Sequence, residues 1–124
     1  MCHRLLVALG IAALLGMAVG CGVLSPPDLS PKEAADLIAR APEFNRYARL
    51  VKVGDIFHYK DSMDSVSDGD FTFQYLNAPA DAAPIKATAD FRYFEGKWYL
   101  NEFSYGSRPD VETVHVWDGR PQRR

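Results

Sequence analysis

Cysteine is nearly absent. Of 124 residues only Cys2 and Cys21 are cysteines, and none lies beyond position 21. The rest of the chain therefore has no internal disulfide, no thiolate nucleophile and no sulfur ligand for zinc. A basic excess is missing too. After the first twenty residues, 13 Lys and Arg stand against 16 Asp and Glu, a formal charge of −3. Nucleic-acid binding draws most of its affinity from cations neutralising phosphates, so a nucleic-acid partner is not expected. Arg120, Arg123 and Arg124 are expected to form only a short, disordered basic tail over 119–124. Ser107 lacks the Gly-x-Ser-x-Gly elbow, and no glycine-rich phosphate loop occurs. At this length the chain buries one core, which excludes multidomain enzymes and repeat arrays.

What is present is unevenly placed. Of 59 hydrophobic residues, 15 fall in the first twenty positions; the remaining 104 residues hold 44, together with all 15 aromatics. Met1-Cys2-His3-Arg4 precedes an uninterrupted apolar run, Leu5 to Leu15, the layout of a secretory signal. Met17-Ala18-Val19-Gly20-Cys21 follows, with small residues before the cysteine. This stretch resembles the lipobox of bacterial lipoprotein precursors. The resemblance implies a signal peptide over 1–20, removal of Cys2 with it, and acyl chains on Cys21 that anchor the protein in a membrane. With Gly22 rather than Asp after the cysteine, it also implies sorting to the outer membrane, facing the periplasm, in a Gram-negative cell. Two other readings of the leader stay open. One is an uncleaved anchor over the uncharged stretch Leu5 to Pro27; the other is a plain secretory cut with Cys21 incidental.

Residues 21–29, with Pro26-Pro27, read as a stiff tether, and 30–118 as one small domain. Ser30-Pro31-Lys32-Glu33 is a helix-start signal, with Ser30 as cap and Pro31 at the first helical position. Ala34, Leu37, Ile38 and Ala41 then line one face of about three turns, closed by Pro42, and Phe44 and Tyr47 are expected to fold back beneath it. From Leu50 the apolar period changes to two, through Val51, Val53, Phe57 and Tyr59, with Gly54 as a break. Asp61 to Asp70 reads as a polar loop, Phe71 to Tyr75 as a strand, and Asn77 to Pro84 as a loop.

The clearest hairpin runs from Ile85 to Phe94, turns at Glu95-Gly96 and returns from Lys97 to Tyr105. A regular register sets Tyr93 opposite Trp98, Phe91 opposite Leu100 and Ala89 opposite Glu102. The other face then carries Arg92 opposite Tyr99, Thr88 opposite Phe103 and Lys86 opposite Tyr105. Val111, Thr113, His115 and Trp117 suggest a last short strand. The expected architecture is α+β: one N-terminal amphipathic helix on a four- to five-stranded antiparallel meander. The Phe94-Glu95-Gly96-Lys97-Trp98 stretch resembles a hairpin of bacterial cystatin-like and NTF2-like domains, families that typically bind ligands or partners and only sometimes catalyse.

Three functional expectations follow. The first is a non-catalytic envelope protein that meets a protein or peptide partner through Lys86, Arg92, Tyr99, Phe103 and Tyr105, since aromatics interleaved with charge suit interfaces. The second is a small-ligand carrier with a pocket between helix and sheet lined by Phe71, Phe73, Phe91 and Trp98. The third is acid–base chemistry at Glu102, desolvated beside Trp98 and Leu100, with His58 or His115. Asp61, Asp64, Asp68 and Asp70 resemble a calcium loop only in composition. Starting from Asp64, Val66 falls at the third ligand position and Tyr75 where a bidentate Glu belongs, so a solvated acidic loop is expected. No cofactor is expected.

Overall fold

The structure, a computed structural model, describes residues 26–61 and 63–117. Signal, Cys21 and the 119–124 tail lie outside these. Two short helices, α1 (Pro31–Arg40) and α2 (Pro42–Asn45), precede strands β1 (Ala48–Asp61), β2 (Asp64–Tyr75), β3 (Ile85–Phe94), β4 (Lys97–Tyr105) and β5 (Glu112–His115). The strands form one antiparallel sheet in the order β1-β2-β3-β4-β5. Among the described residues the expected single N-terminal helix is thus corrected to two short ones. The first begins only at Pro31, and Pro42 ends it and starts the second.

The start of α1 follows its sequence: Ser30 Oγ accepts a hydrogen bond from the Glu33 amide at 3.1 Å, and Ala34, Leu37 and Ile38 are buried against the sheet. Phe44, delivered by α2, is the centre of the core. Its ring meets Phe71, Phe73 and Phe103 edge-on at centroid distances of 6.0, 5.8 and 5.8 Å, each contact worth about 0.5–1.5 kcal/mol beyond area burial. Tyr47, expected beneath the helix, is instead exposed.

The core also reaches back into the supposed tether. Leu29 is only 2% exposed, and the Trp98 indole donates a 2.9 Å hydrogen bond to the Pro27 carbonyl. Residues from Pro27 onward therefore belong to the folded unit.

Two strand expectations need correction. The polar loop Asp61 to Asp70 is mostly the first half of β2, paired on both sides, with β1 and with β3. Two flanking strands satisfy its backbone groups, which outweighs the low strand propensity of Asp, Ser and Gly. Ser67 lies opposite Phe91, and a side chain at Gly69 would stand 3.6 Å from that ring.

The second correction concerns β4. Glu95 and Gly96 have φ of +47° and +87°, the both-positive pattern of a two-residue hairpin turn that matches strand twist. Phe94↔Lys97, Tyr93↔Trp98, Arg92↔Tyr99 and Phe91↔Leu100 pair as expected. The next pair is Asp90↔Glu102, so Asn101 is an extra residue, a bulge. Its atoms are occupied there. The carbonyl accepts from the Val116 amide at 3.0 Å, and Nδ2 donates to Asp90 Oδ2 at 2.8 Å. Below the bulge every side chain changes face. Phe103 and Tyr105 join Trp98 and Leu100 on the helix side, while Glu102 moves to the open side.

Candidate functional site

The bulge dismantles the expected partner face. Lys86, Arg92 and Tyr99 stay on the open face of the sheet, but Phe103 is 4% exposed in the core and Tyr105 packs beside it. The expected carrier pocket is likewise filled. Phe71, Phe73, Phe91 and Trp98 are all buried and packed with Leu37, Ile38 and Phe44.

A cleft opens instead at the end of the sheet away from the β3–β4 turn, where α2 meets the start of β1, the end of β2 and the end of β4. It encloses about 720 Å³. Phe44, Phe73 and Phe103 form its buried floor; Tyr47, Tyr75, Leu76, Tyr105 and Val114 form the walls, with Glu43, Arg46 and Asn77 at the polar edge. Tyr47 (59%), Leu76 (56%) and Tyr75 (38%) expose apolar surface around it. A hydrogen bond with Tyr75, then burial, hold the Tyr105 phenol above its ordinary range. Sequence reasoning missed this cleft, because its residues come from separate elements and converge only through the fold.

The open face holds a charged network at the other end. Arg92 contacts Asp90 at 3.2 Å, Asp61 at 3.4 Å and Asp64 at 3.7 Å. Burial tends to lower the Arg92 pKa, but Asp90 and then Asp61 outweigh it, and the net shift is upward. The four acidic residues expected in a solvated loop are therefore strand residues: Asp61 and Asp64 contact this guanidinium, while Asp70 accepts from the Thr88 hydroxyl at 3.3 Å. Asp68 lies directly opposite Asp90 and accepts from the Tyr59 hydroxyl at 3.1 Å. Burial first, then the Asp90 charge and hydrogen bond, raise the Asp68 pKa, against the lowering effect of Tyr59 and Arg92.

The sign of this shift gives a prediction. A carboxyl whose folded pKa exceeds its unfolded one binds more protons when folded, so stability declines as pH rises from the ordinary aspartate range through the folded pKa. Asp68→Asn is expected to flatten that decline and raise the urea midpoint at neutral pH relative to the parent. Urea midpoints measured across acidic and neutral pH for both proteins check this; an undiminished pH slope in the variant refutes it.

The acid–base expectation is half met in geometry. Glu102 and His115 are cross-strand neighbours, with Oε1 and Nδ1 at 3.3 Å, but the His115 side chain is 79% exposed. Glu102 is on the open face rather than beside Trp98, so the expected desolvation next to that indole is absent. His58 is on the opposite face, and its Nδ1 contacts Ser67 Oγ at 2.5 Å, while Nε2 lies 4.0 Å from Asp28. This Ser, His and Asp grouping was not foreseen in the sequence. Ser67 is 0% exposed, so its hydroxyl meets no substrate, and it serves to satisfy a buried polar group. Among the described residues no group of three or more His, Cys, Asp or Glu is placed to hold a metal, and no helix is long and apolar enough to cross a membrane.

The chain is thus a small α+β domain with an aromatic cleft at one end and a charged, open sheet face at the other. Comparison with known protein families, with curated proteins and with solved structures gives no match.

Proposed function

We propose that this chain is a lipid-anchored protein of the bacterial cell envelope, attached through Cys21, whose domain is a non-catalytic binding module for a protein or peptide partner. The observation that carries the binding role is the cleft: an apolar, aromatic floor continuous with the core, bordered by Tyr47, Tyr75 and Leu76, which stay exposed. Aromatic anchors around a pocket with a polar rim are the composition of interface centres. The interaction surface is therefore assigned to the cleft, in place of the sheet face that Phe103 and Tyr105 have left. A small apolar ligand is the second reading, favoured by the cleft volume of about 720 Å³, which lies within the usual range for small-molecule sites.

A photoreactive benzophenone side chain placed at position 76 or at position 86, in cells, separates the surfaces. A discrete cross-linked adduct is expected from position 76 and lost when Tyr47→Ala is added. An adduct from position 86 alone moves the interface to the open sheet face and overturns the assignment to the cleft.

A further inference from the structure

The described chain enters the fold at the end of the sheet opposite the cleft. Trp98 is one pair below Phe94↔Lys97, the pair that closes the β3–β4 turn, and its indole holds the Pro27 carbonyl. The described chain thus enters the fold beside that turn. In a meander, the β1–β2 turn lies at the same end, and Arg92 on β3 ties the two tips together by contacting Asp61 and Asp64. Six peptide steps separate Cys21 from Pro27, which reach no more than about 22 Å in any conformation. The 12 residues of β2 carry the cleft end roughly 40 Å from the tips.

From this we infer that the end of the sheet bearing the two hairpin tips faces and touches the lipid surface, with Met63 and Phe94 in the headgroup region and the cleft directed away from the membrane. The inference rests on the lipidation of Cys21 proposed above. Met63, in the β1–β2 turn, is 87% exposed, apolar surface that water solvates poorly and a headgroup boundary accepts. Phe94, half-buried on the open face, is the aromatic nearest the other turn. Lys60 and Lys97 flank these two; long lysine stems lie along apolar surface while the ammonium reaches phosphate oxygens. Arg92 is neutralised by Asp61, Asp64 and Asp90, and Asp28 stands beside the entry point, so contact with the surface is carried by the short lipid tether and by Met63 and Phe94 rather than by net charge. The cleft then opens toward solvent, where a partner borne by another structure can enter it.

Beyond Cys21 the chain has no cysteine, and the Cys21 sulfur is consumed by its lipid, so single labels are selective. Met63→Cys and Leu76→Cys variants of the full processed protein, each carrying a bimane fluorophore, are reconstituted in vesicles of phosphatidylethanolamine and phosphatidylglycerol containing nitroxide-labelled phosphatidylcholine. The expected result is loss of bimane fluorescence at position 63 and its retention at position 76, with both proteins floating with the vesicles. Equal quenching at the two positions, as for a domain lying flat, or stronger quenching at position 76 overturns the orientation while flotation upholds the anchor. Failure to float, with labelling of the Cys21 thiol by the fluorophore, overturns the lipidation reading and the orientation with it.

Discussion

Phe103→Ala is expected to destabilise the domain by about 3–5 kcal/mol, the usual loss for removing a buried phenylalanine ring. Phe103 meets Phe44 and Phe71 at 5.8 and 6.2 Å and stacks beside Tyr105 at 6.4 Å. Its removal opens a cavity where helix and sheet meet. Since a domain of this size has a total stability of about 5–15 kcal/mol, the variant stands near the limit of folding. Tyr99→Ala, on the open face, is expected to cost about 1 kcal/mol or less. It loses a contact with the Lys97 ammonium, 5.8 Å above its ring, and a tilted ring contact with Phe94 at 6.5 Å, but opens no cavity in the core. Urea unfolding followed by tryptophan fluorescence measures both. The contrast depends wholly on the Asn101 bulge. In a regular hairpin Phe103 shares the face of Tyr99, and the two substitutions then have similar, small effects. Equal midpoints for the two variants therefore refute the register described above.

Cys21→Ala is expected to abolish labelling by a palmitate analogue and to leave the precursor unprocessed. The parent is expected to take up the label and run as the shorter form. On the lipidation proposed above the effect is all-or-none, because the substitution removes the sulfur that would accept the lipid. A multiply acylated N-terminus exceeds the two membrane signals that stable anchoring requires, at about 0.8 kcal/mol per buried methylene, so the variant also partitions differently between membrane and soluble fractions. Gel mobility and fluorography of labelled cells check it; persistent label on the variant refutes the assignment.

Local rules in the sequence carried the elements that local rules determine. Ser30 and Pro31 started α1, Pro42 ended it, and Glu95-Gly96 set a turn whose flanking strands begin and end where the alternation said. What was not legible depended on neighbours distant in sequence. The segment Asp64 to Asp70 has no apolar alternation, and becomes a strand because β1 and β3 offer partners on both sides. Leu29 reads as part of a proline-rich linker and is buried because Trp98, far along the chain, captures Pro27. The bulge was visible in part: Trp98, Leu100, Phe103 and Tyr105 are spaced two, three, two, and the step of three is where a strand must gain a residue to keep its apolar side chains together. Once that step is taken, the interface expected on the open face disperses. The cleft brings Phe44, Phe73, Phe103 and Tyr105 together from three elements, a convergence that no window of sequence contains.

The order of strands in the sheet has a bearing on how the fold is reached. Every strand pairs with its neighbour in sequence, and each connection is a turn or a loop of modest length, so no pairing waits for a distant segment to return. Loop-closure entropy is small at each step, and topologies of this local kind fold faster than those built from remote pairings. With no cysteine beyond Cys21, the domain is expected to assemble hairpin by hairpin without waiting on a disulfide. Capture of Pro27 by Trp98 then links the first described residues of the chain to a hairpin made from its later part.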